Sequence, residues 1–361
     1  MKILLLGFTK VKFMPYANFY LQNIDVHKND VHLLYWNRDL KDEDLSRYGD
    51  IKLIEFRRFQ QDSVPKRKKL PSFYAYRRFA LKTIKAGNYD FIISLHTLPG
   101  LLVLDELKNH FRKRYILDYR DSTFEENNYV FAKMVRVLSS NARLVFTSSD
   151  AYRKYLPENG SVEIITSHNI LTDSLHYRDY VKSLSDKIRI AFWGLLRHTA
   201  LNKKIISALC NDSRFELHYY GREQGTGSQL REHIQNIGAK NVFLHGEYKP
   251  EDRYWFAKNT DIIHNIYLDA NMLRAMGNKY YDGIIFRIPQ LCYPGSFMGT
   301  LVSEKGLGTL VNPDDPEFAD KIYDYYRSYD RNAFREACDD ELERVMIDYD
   351  KGEKLINKIL N

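Results

Sequence analysis

A chain of 361 residues is long for one hydrophobic core and suits two domains, and its 44% apolar content belongs to a folded protein rather than a disordered one. No stretch approaches the roughly 18–20 uninterrupted apolar residues a membrane span needs, and three scattered cysteines (Cys210, Cys292, Cys338) lack metal spacing and point to a reducing cytoplasm without a disulfide framework. The net charge of +7 is uneven: residues 1–185 hold 30 Lys and Arg against 21 Asp and Glu, whereas the remainder holds 24 against 26.

In chain order, Lys2–Gly7 reads as a first buried strand, not as a signal peptide, because Lys10 and Lys12 follow at once. Tyr16–Ile24 is an expected helix after Pro15, and Val31–Trp36 and Ile51–Phe56 are expected strands. Arg57 to Pro71 reads as a polar, basic loop punctuated by Pro65 and Pro71. Helical periodicity covers Phe73–Ala86; Phe91–Leu95 is a continuous apolar strand and Pro99–Lys108 a helix. Tyr115–Tyr119, Leu144–Thr147 and Val162–Thr166 complete the strands of this half. The alternation predicts a doubly wound, mostly parallel α/β sheet, which binds ligands at the C-terminal ends of its strands.

Two of those ends carry polar residues: His96 follows Leu95, and Asp118-Tyr119-Arg120-Asp121 closes the next strand. A histidine there is more often structural than catalytic, and the Asp-Tyr-Arg-Asp run reads equally well as an internal ion-pair network. No Gly-x-Gly-x-x-Gly follows Leu6, so a nicotinamide-binding fold is not supported. The basic half interleaves Arg57-Arg58, Lys66-Arg67-Lys68-Lys69 and Arg77-Arg78 with Phe56, Phe59, Phe73, Tyr74, Tyr76 and Phe79. Such a patch suits an anionic membrane surface, with nucleic acid as rival partner and a solvated face over ordinary core aromatics as the plain alternative.

Leu171–Asp186 is polar and marks the link to a second half that restarts the same alternation. Ile188–Trp193, Phe215–Tyr220 and Val242–His245 are expected strands, each closed by a glycine: Gly194, Gly221 and Gly246. Glycine allows tight strand-to-helix turns and close backbone approach to a ligand. Lys203–Leu209 begins a helix; Arg222–Ser228, with its weak Gly225-Thr226-Gly227, reads as a flexible loop. Asp261–Ile266, Gln290–Cys292 and Thr309–Val311 are the remaining strands, and the chain is helical after Pro316.

The segment Asn278-Lys279-Tyr280-Tyr281-Asp282 opens a short amphipathic helix. Positions i and i+3 share a face, so Lys279 and Asp282 can offer a cation and a carboxylate to one ligand. A cation suits phosphate and a carboxylate suits a sugar diol. The turn Tyr293-Pro294-Gly295-Ser296 is a second expected phosphate cradle. The plain alternative is a surface helix with one ion pair.

This segment resembles the nucleotide-sugar motif of GT-B glycosyltransferases, in particular the large retaining group 1 (family 4-like) set. Asp282 stands seven residues before Pro289, where that group places the second acid of its Glu-x7-Glu pair; Arg274 occupies the first acidic position, and Arg287 the usual glycine. The resemblance implies two Rossmann-like domains facing a cleft: residues 1–178 on the acceptor side, a linker at 179–186, a donor domain at 187–345, and a C-terminal helix at 346–361 that returns to the first domain. It implies a donor site of Gly194, Arg197, Gly221, Tyr248, Tyr267, Asn278, Lys279, Asp282, Gly295 and Ser296. Arg197 and Lys279 would take the diphosphate, Asp282 the ribose and Tyr248 the base. His96, Arg120 and Asp121 carry over as acceptor-side or catalytic candidates, and His168 as a lining residue of the cleft.

No Asp-x-Asp motif ends a strand, so a metal-free site is expected, without a cofactor beyond the nucleotide-diphosphate sugar. The expected reaction is sugar transfer, with retention, to a lipid-linked or polysaccharide acceptor in bacterial capsule, exopolysaccharide or lipopolysaccharide synthesis. The expected location is the cytoplasm, with peripheral contact to an anionic membrane and no nucleic-acid partner. The alternatives are a nucleotide-sugar 2-epimerase of the same fold and a non-catalytic polyanion-binding protein.

Overall fold

The computed structural model describes residues 1–61, 64–158, 160–269 and 272–361. They form two compact units: Met1–His168 with Ile347–Asn361, and Asn169–Met346. Each is built on one parallel sheet with helical crossovers.

The first unit contains β1 (Lys2–Leu6), β2 (Asp30–Asn37), β3 (Lys52–Arg57), β4 (Phe91–Leu95), β5 (Tyr115–Tyr119), β6 (Leu144–Thr147) and β7 (Glu163–Thr166). Their spatial order is β3-β2-β1-β4-β5-β6-β7, so the winding reverses between β1 and β4. Strands covered by helices on both faces are mainly apolar, and β4 and β5 are buried at every position, Ser94 and Asp118 included. The core joins Ile3, Leu5, Tyr20, Ile93, Ile116 and Phe146 to Ile356 and Leu360 of the 30-residue helix Arg331–Leu360. Gly352 lets that helix come close, since a Cβ there would lie 3.0 Å from Phe19 and 3.1 Å from Phe146. His168 pairs with Asp348 at 3.0 Å within the same unit.

The second unit contains β8 (Ile188–Trp193), β9 (Phe215–Tyr220), β10 (Val242–Gly246), β11 (Ile262–Asn265), β12 (Gln290–Cys292) and β13 (Gly308–Leu310), ordered β10-β9-β8-β11-β12-β13. Here the reversal lies between β8 and β11. A reversal leaves a crevice at the carboxyl ends of the two diverging strands, which is where open α/β sheets bind ligands.

Three local expectations are corrected. The basic loop before Phe73 is instead the start of a helix spanning Lys66–Gly87, with Pro71 inside it. The ring deprives the Arg67 carbonyl of its helical donor, and Arg67 is exposed, so water can replace it. Gly225 and Gly227 lie in the helix Gln224–Asn236, where Gly227 N–H donates to the Glu223 carbonyl at 2.9 Å. The expected Pro99–Lys108 helix is two, Thr97–Leu102 and Leu104–His110, separated at Val103.

Candidate functional site

At the reversal point of the second sheet lies a cavity of about 270 Å³. The end of β8 supplies Phe192, Trp193 and Gly194, and the residues after β11 supply Tyr267. Helix Asn278–Ile285 contributes Asn278, Lys279 and Asp282 from its N-terminal turns. Arg197, Tyr248 and Arg253 complete the polar lining.

Helix Asn278–Ile285 is buried at every position from Lys279 onward, because it packs behind β11 and β12 rather than on the surface. Gly283 makes this close packing feasible: a Cβ there would meet the Gln290 side chain at 2.3 Å. Lys279 and Asp282 are therefore held in the interior, 7% and 3% exposed. The Lys279 ammonium sits 4.2 Å from the centre of the Phe192 ring and 5.2 Å from that of Tyr267, and it is ion-paired with no carboxylate among the described residues. Two aromatic faces stabilise a cation only partly against the loss of water, so the site favours an incoming anion. Asp282 has its nearest cation in Arg253, at 3.7 Å. Burial pushes its carboxyl above the usual carboxylate range, while Arg253 and Lys279 pull in the opposite direction.

Arg253 is a site residue that the sequence alone does not single out. It lies 29 residues upstream of Asp282 at the start of helix Arg253–Lys258, so no local spacing links the two. The available signal was one arginine heading the apolar run Tyr254-Trp255-Phe256-Ala257. Its Nε and Nη1 atoms are buried without hydrogen-bond partners, which is costly for a guanidinium unless a ligand completes the set.

Behind the lining, His264 is fully neutral at physiological pH. Burial, with Lys279 and His198 adding to it, pushes its imidazole down to about 3. Its Nδ1 accepts from the Ile266 N–H at 3.1 Å, and its Nε2 lies 3.3 Å from Asn202 Oδ1. His198 begins helix Thr199–Ala208 with a left-handed φ of 58° and lines the cavity beside Tyr267.

Among the donor-site residues expected from the sequence, Gly194, Arg197, Tyr248, Tyr267, Asn278, Lys279 and Asp282 come together around this cavity. Arg197 and Asn278 are exposed at its edge, and Arg197 has no carboxylate partner among the described residues. Gly221, Gly295 and Ser296 are placed otherwise. Gly221 abuts the Gly194 carbonyl, only 1.6 Å from where a Cβ would stand. Gly295 forms the turn with φ 82°, and Ser296 caps helix Phe297–Glu304, its Oγ accepting from the Gly299 N–H at 3.0 Å.

In the first unit, His96 stands at the β1/β4 reversal point with φ 99°, a strained backbone for a non-glycine residue. Its Nδ1 accepts from the Leu98 N–H, and its Nε2 lies 3.9 Å from Asp121 Oδ2. Burial lowers the His96 pKa, and Asp121 opposes the shift. Arg120 turns inward: it pairs with Asp118 through Nη2 at 2.9 Å and donates to the Ser167 carbonyl and hydroxyl at 3.2 and 3.0 Å.

No family model matches the sequence, and no curated protein matches it. Solved structures do resemble it in fold. A sucrose-phosphate synthase from Thermosynechococcus elongatus superposes with a TM-score of 0.73 at 13% identity, over 99% of both chains. HepE of Anabaena, solved with UDP-glucose, gives 0.67 at 17% identity, over 100% of this chain and 98% of that one. A glycosyltransferase from Rickettsia africae gives 0.65 at 13% identity, over 100% and 98%. The chain has the two-domain, parallel-sheet GT-B fold of these proteins.

Proposed function

We propose that this protein transfers a sugar from a nucleoside-diphosphate donor to a lipid-linked or glycan acceptor in bacterial surface-polysaccharide synthesis. One observation carries the reading: the buried, carboxylate-free ammonium of Lys279 shares a switch-point cavity with Asp282 and Arg253. A diphosphate supplies the anion that Lys279 lacks, with Arg197 at the cavity edge as second cation. Asp282 accepts hydrogen bonds from the ribose hydroxyls, Arg253 opposes the rise that burial imposes on that carboxyl, and Tyr248 faces the base. The complexes of HepE with UDP and UDP-glucose make UDP the first nucleotide to try.

Fixed cations can stabilise the departing diphosphate without a metal, and transfer proceeds with retention, the leaving phosphate guiding the acceptor proton. On the acceptor side, His96 and Asp121 are the groups to handle a hydroxyl, with Arg120 bracing their strand ends. The protein works at the cytoplasmic face of an anionic membrane. Support for that placement comes from helix Lys66–Gly87, which exposes Leu70 and Tyr74 beside Arg67, Lys68 and Arg78, and from Tyr129 and Val130 at the start of helix Tyr129–Asn141. Both helices start at the C-terminal edge of the first sheet. No helix of the described residues is long and apolar enough to cross a membrane.

The test is calorimetric titration with UDP, GDP, ADP and CMP, with and without Mg²⁺, on wild type and Lys279→Ala. Saturable, metal-independent binding of one nucleoside diphosphate, lost in the variant, is expected. Indifference of the folded protein to all four would sink the proposal.

A further inference from the structure

The second unit has another cavity, of about 910 Å³, away from the switch point. It is walled by residues 176–182, by Tyr254 and Lys258, by Phe286 and Arg287, and by the start of helix Arg331–Leu360. Six cations line it. Three are ion-paired: Arg178 and Arg287 share Asp339, and Lys182 meets Asp261 at 3.1 Å. Asp179 also lines the cavity and lies 3.6 Å from Arg287. The other three cations, Lys258, Arg331 and Arg335, are exposed and ion-paired with no carboxylate among the described residues. The apolar surface is aromatic: Tyr180, Phe286, Tyr329 and Phe334. Arg331 lies 5.9 Å from the Tyr329 ring centre.

The backbone carries a second signal. Arg287 holds a left-handed φ of 51° at the end of helix Asn278–Ile285, where glycine is the unstrained choice. Its Nε and Nη2 reach Asp339 at 2.9 and 3.0 Å, which fixes the guanidinium on the cavity wall.

We propose that this cavity is a second binding site, for a small phosphate monoester carrying a planar apolar group. Three unpaired cations exceed what a monocarboxylate can satisfy and suit the nearly doubly charged phosphate, and the rings provide stacking surface for the remainder. The site shares two helices with the nucleotide cavity. Helix Arg253–Lys258 gives Arg253 to one and Tyr254 and Lys258 to the other. Helix Asn278–Ile285 places Lys279 and Asp282 in one and runs directly into Phe286 and Arg287 of the other. Occupancy of the second site therefore biases the first. This coupling, unlike the site itself, rests on the nucleotide reading above.

The experiment titrates phenyl phosphate, with inorganic phosphate as the comparison, into the wild-type chain, Arg331→Ala/Arg335→Ala and Lys279→Ala, by calorimetry. Phenyl phosphate is expected to bind wild type more tightly than inorganic phosphate. Its affinity should fall at least ~tenfold in the Arg331/Arg335 variant, as loss of charge-assisted hydrogen bonds implies, and be unchanged in Lys279→Ala. Binding lost in Lys279→Ala but kept in the arginine variant would place the probe in the nucleotide cavity and overturn the proposal. So would absence of saturation in wild type. Nucleotide affinity measured with saturating phenyl phosphate should shift at least ~threefold in wild type and not in the arginine variant; an unchanged value overturns the coupling. Failure of every nucleotide to bind, with phenyl phosphate still bound through Arg331 and Arg335, would remove the nucleotide reading and leave the second site standing.

Discussion

Lys279 and Asp282 stand one helical turn apart in the same cavity, yet they do not form an ion pair; Asp282 faces Arg253 at 3.7 Å while the Lys279 ammonium rests over the Phe192 ring at 4.2 Å. Asp282 already faces a cation, whereas the buried Lys279 ammonium meets only aromatic faces, so the charge left to be matched in this site is the positive one.

Lys279→Met should separate function from stability. It keeps the length of the side chain and removes a buried charge without a counter-ion. The melting temperature is expected to stay level or rise, because such a charge lowers stability. Nucleotide affinity should fall by about 2 kcal/mol, near 30-fold. Thermal melts and titration on the same samples check both parts.

Asp121→Asn tests the acceptor side. Asp121 is 68% exposed in its side chain, so its loss should leave the melting temperature unchanged. If Asp121 and His96 handle the acceptor proton, turnover should drop ~100-fold or more with nucleotide affinity intact.

Arg120→Ala should behave in the opposite way. Removing one partner of the buried Asp118 pair strands a carboxylate that burial already pushes up. Destabilisation of about 3–5 kcal/mol is expected in urea titration, and any loss of activity should follow the loss of fold.

His264 makes the second unit acid-labile. Its folded-state pKa of about 3 lies below the ordinary 6.5, so the folded state refuses a proton that the unfolded chain accepts. Its contribution is present above pH 6.5 and is lost as pH falls toward 3, at about 1.4 kcal/mol per pH unit. Urea midpoints from pH 7 to pH 4.5 should fall less steeply in His264→Gln than in wild type.

Gly221→Ala should be worse than Gly295→Ala, although both glycines have positive φ. At Gly221 a Cβ would collide with the Gly194 carbonyl at 1.6 Å, whereas at Gly295 nothing lies within 4 Å. About 1–2 kcal/mol is expected for Gly295→Ala, from backbone strain alone, and more than that for Gly221→Ala by chemical denaturation.

The strands were the most legible part of the chain. Phe91–Leu95, Tyr115–Tyr119, Ile188–Trp193 and Phe215–Tyr220 appear with the bounds expected from their mainly apolar runs, because a parallel strand covered on both faces is dominated by apolar residues. The helix Lys66–Gly87 was partly missed because local chemistry argued the other way: Pro65 and Pro71 read as breaks, and Pro71 is accommodated where the residue whose carbonyl loses its donor, Arg67, is exposed. In the site, Lys279 and Asp282 were readable because they lie on one turn. Arg253 was not, since its partnership with Asp282 exists only after the sheet brings β10 and β11 to opposite sides of β8. Gly221 was legible as a required glycine at a strand end, and its close approach to the Gly194 carbonyl supplies a reason that only the folded chain shows.

The first unit is discontinuous along the chain, with Ile356 and Leu360 seated among Ile3, Leu5 and Phe146. A ribosome makes residues 169–346 before it makes those two side chains. The amino-terminal unit must therefore wait, with an open patch in its core, until the whole of the other unit has been synthesised. The order of synthesis makes the second unit the first that can finish folding, and it leaves the other unit with an open core until the final turns of helix arrive.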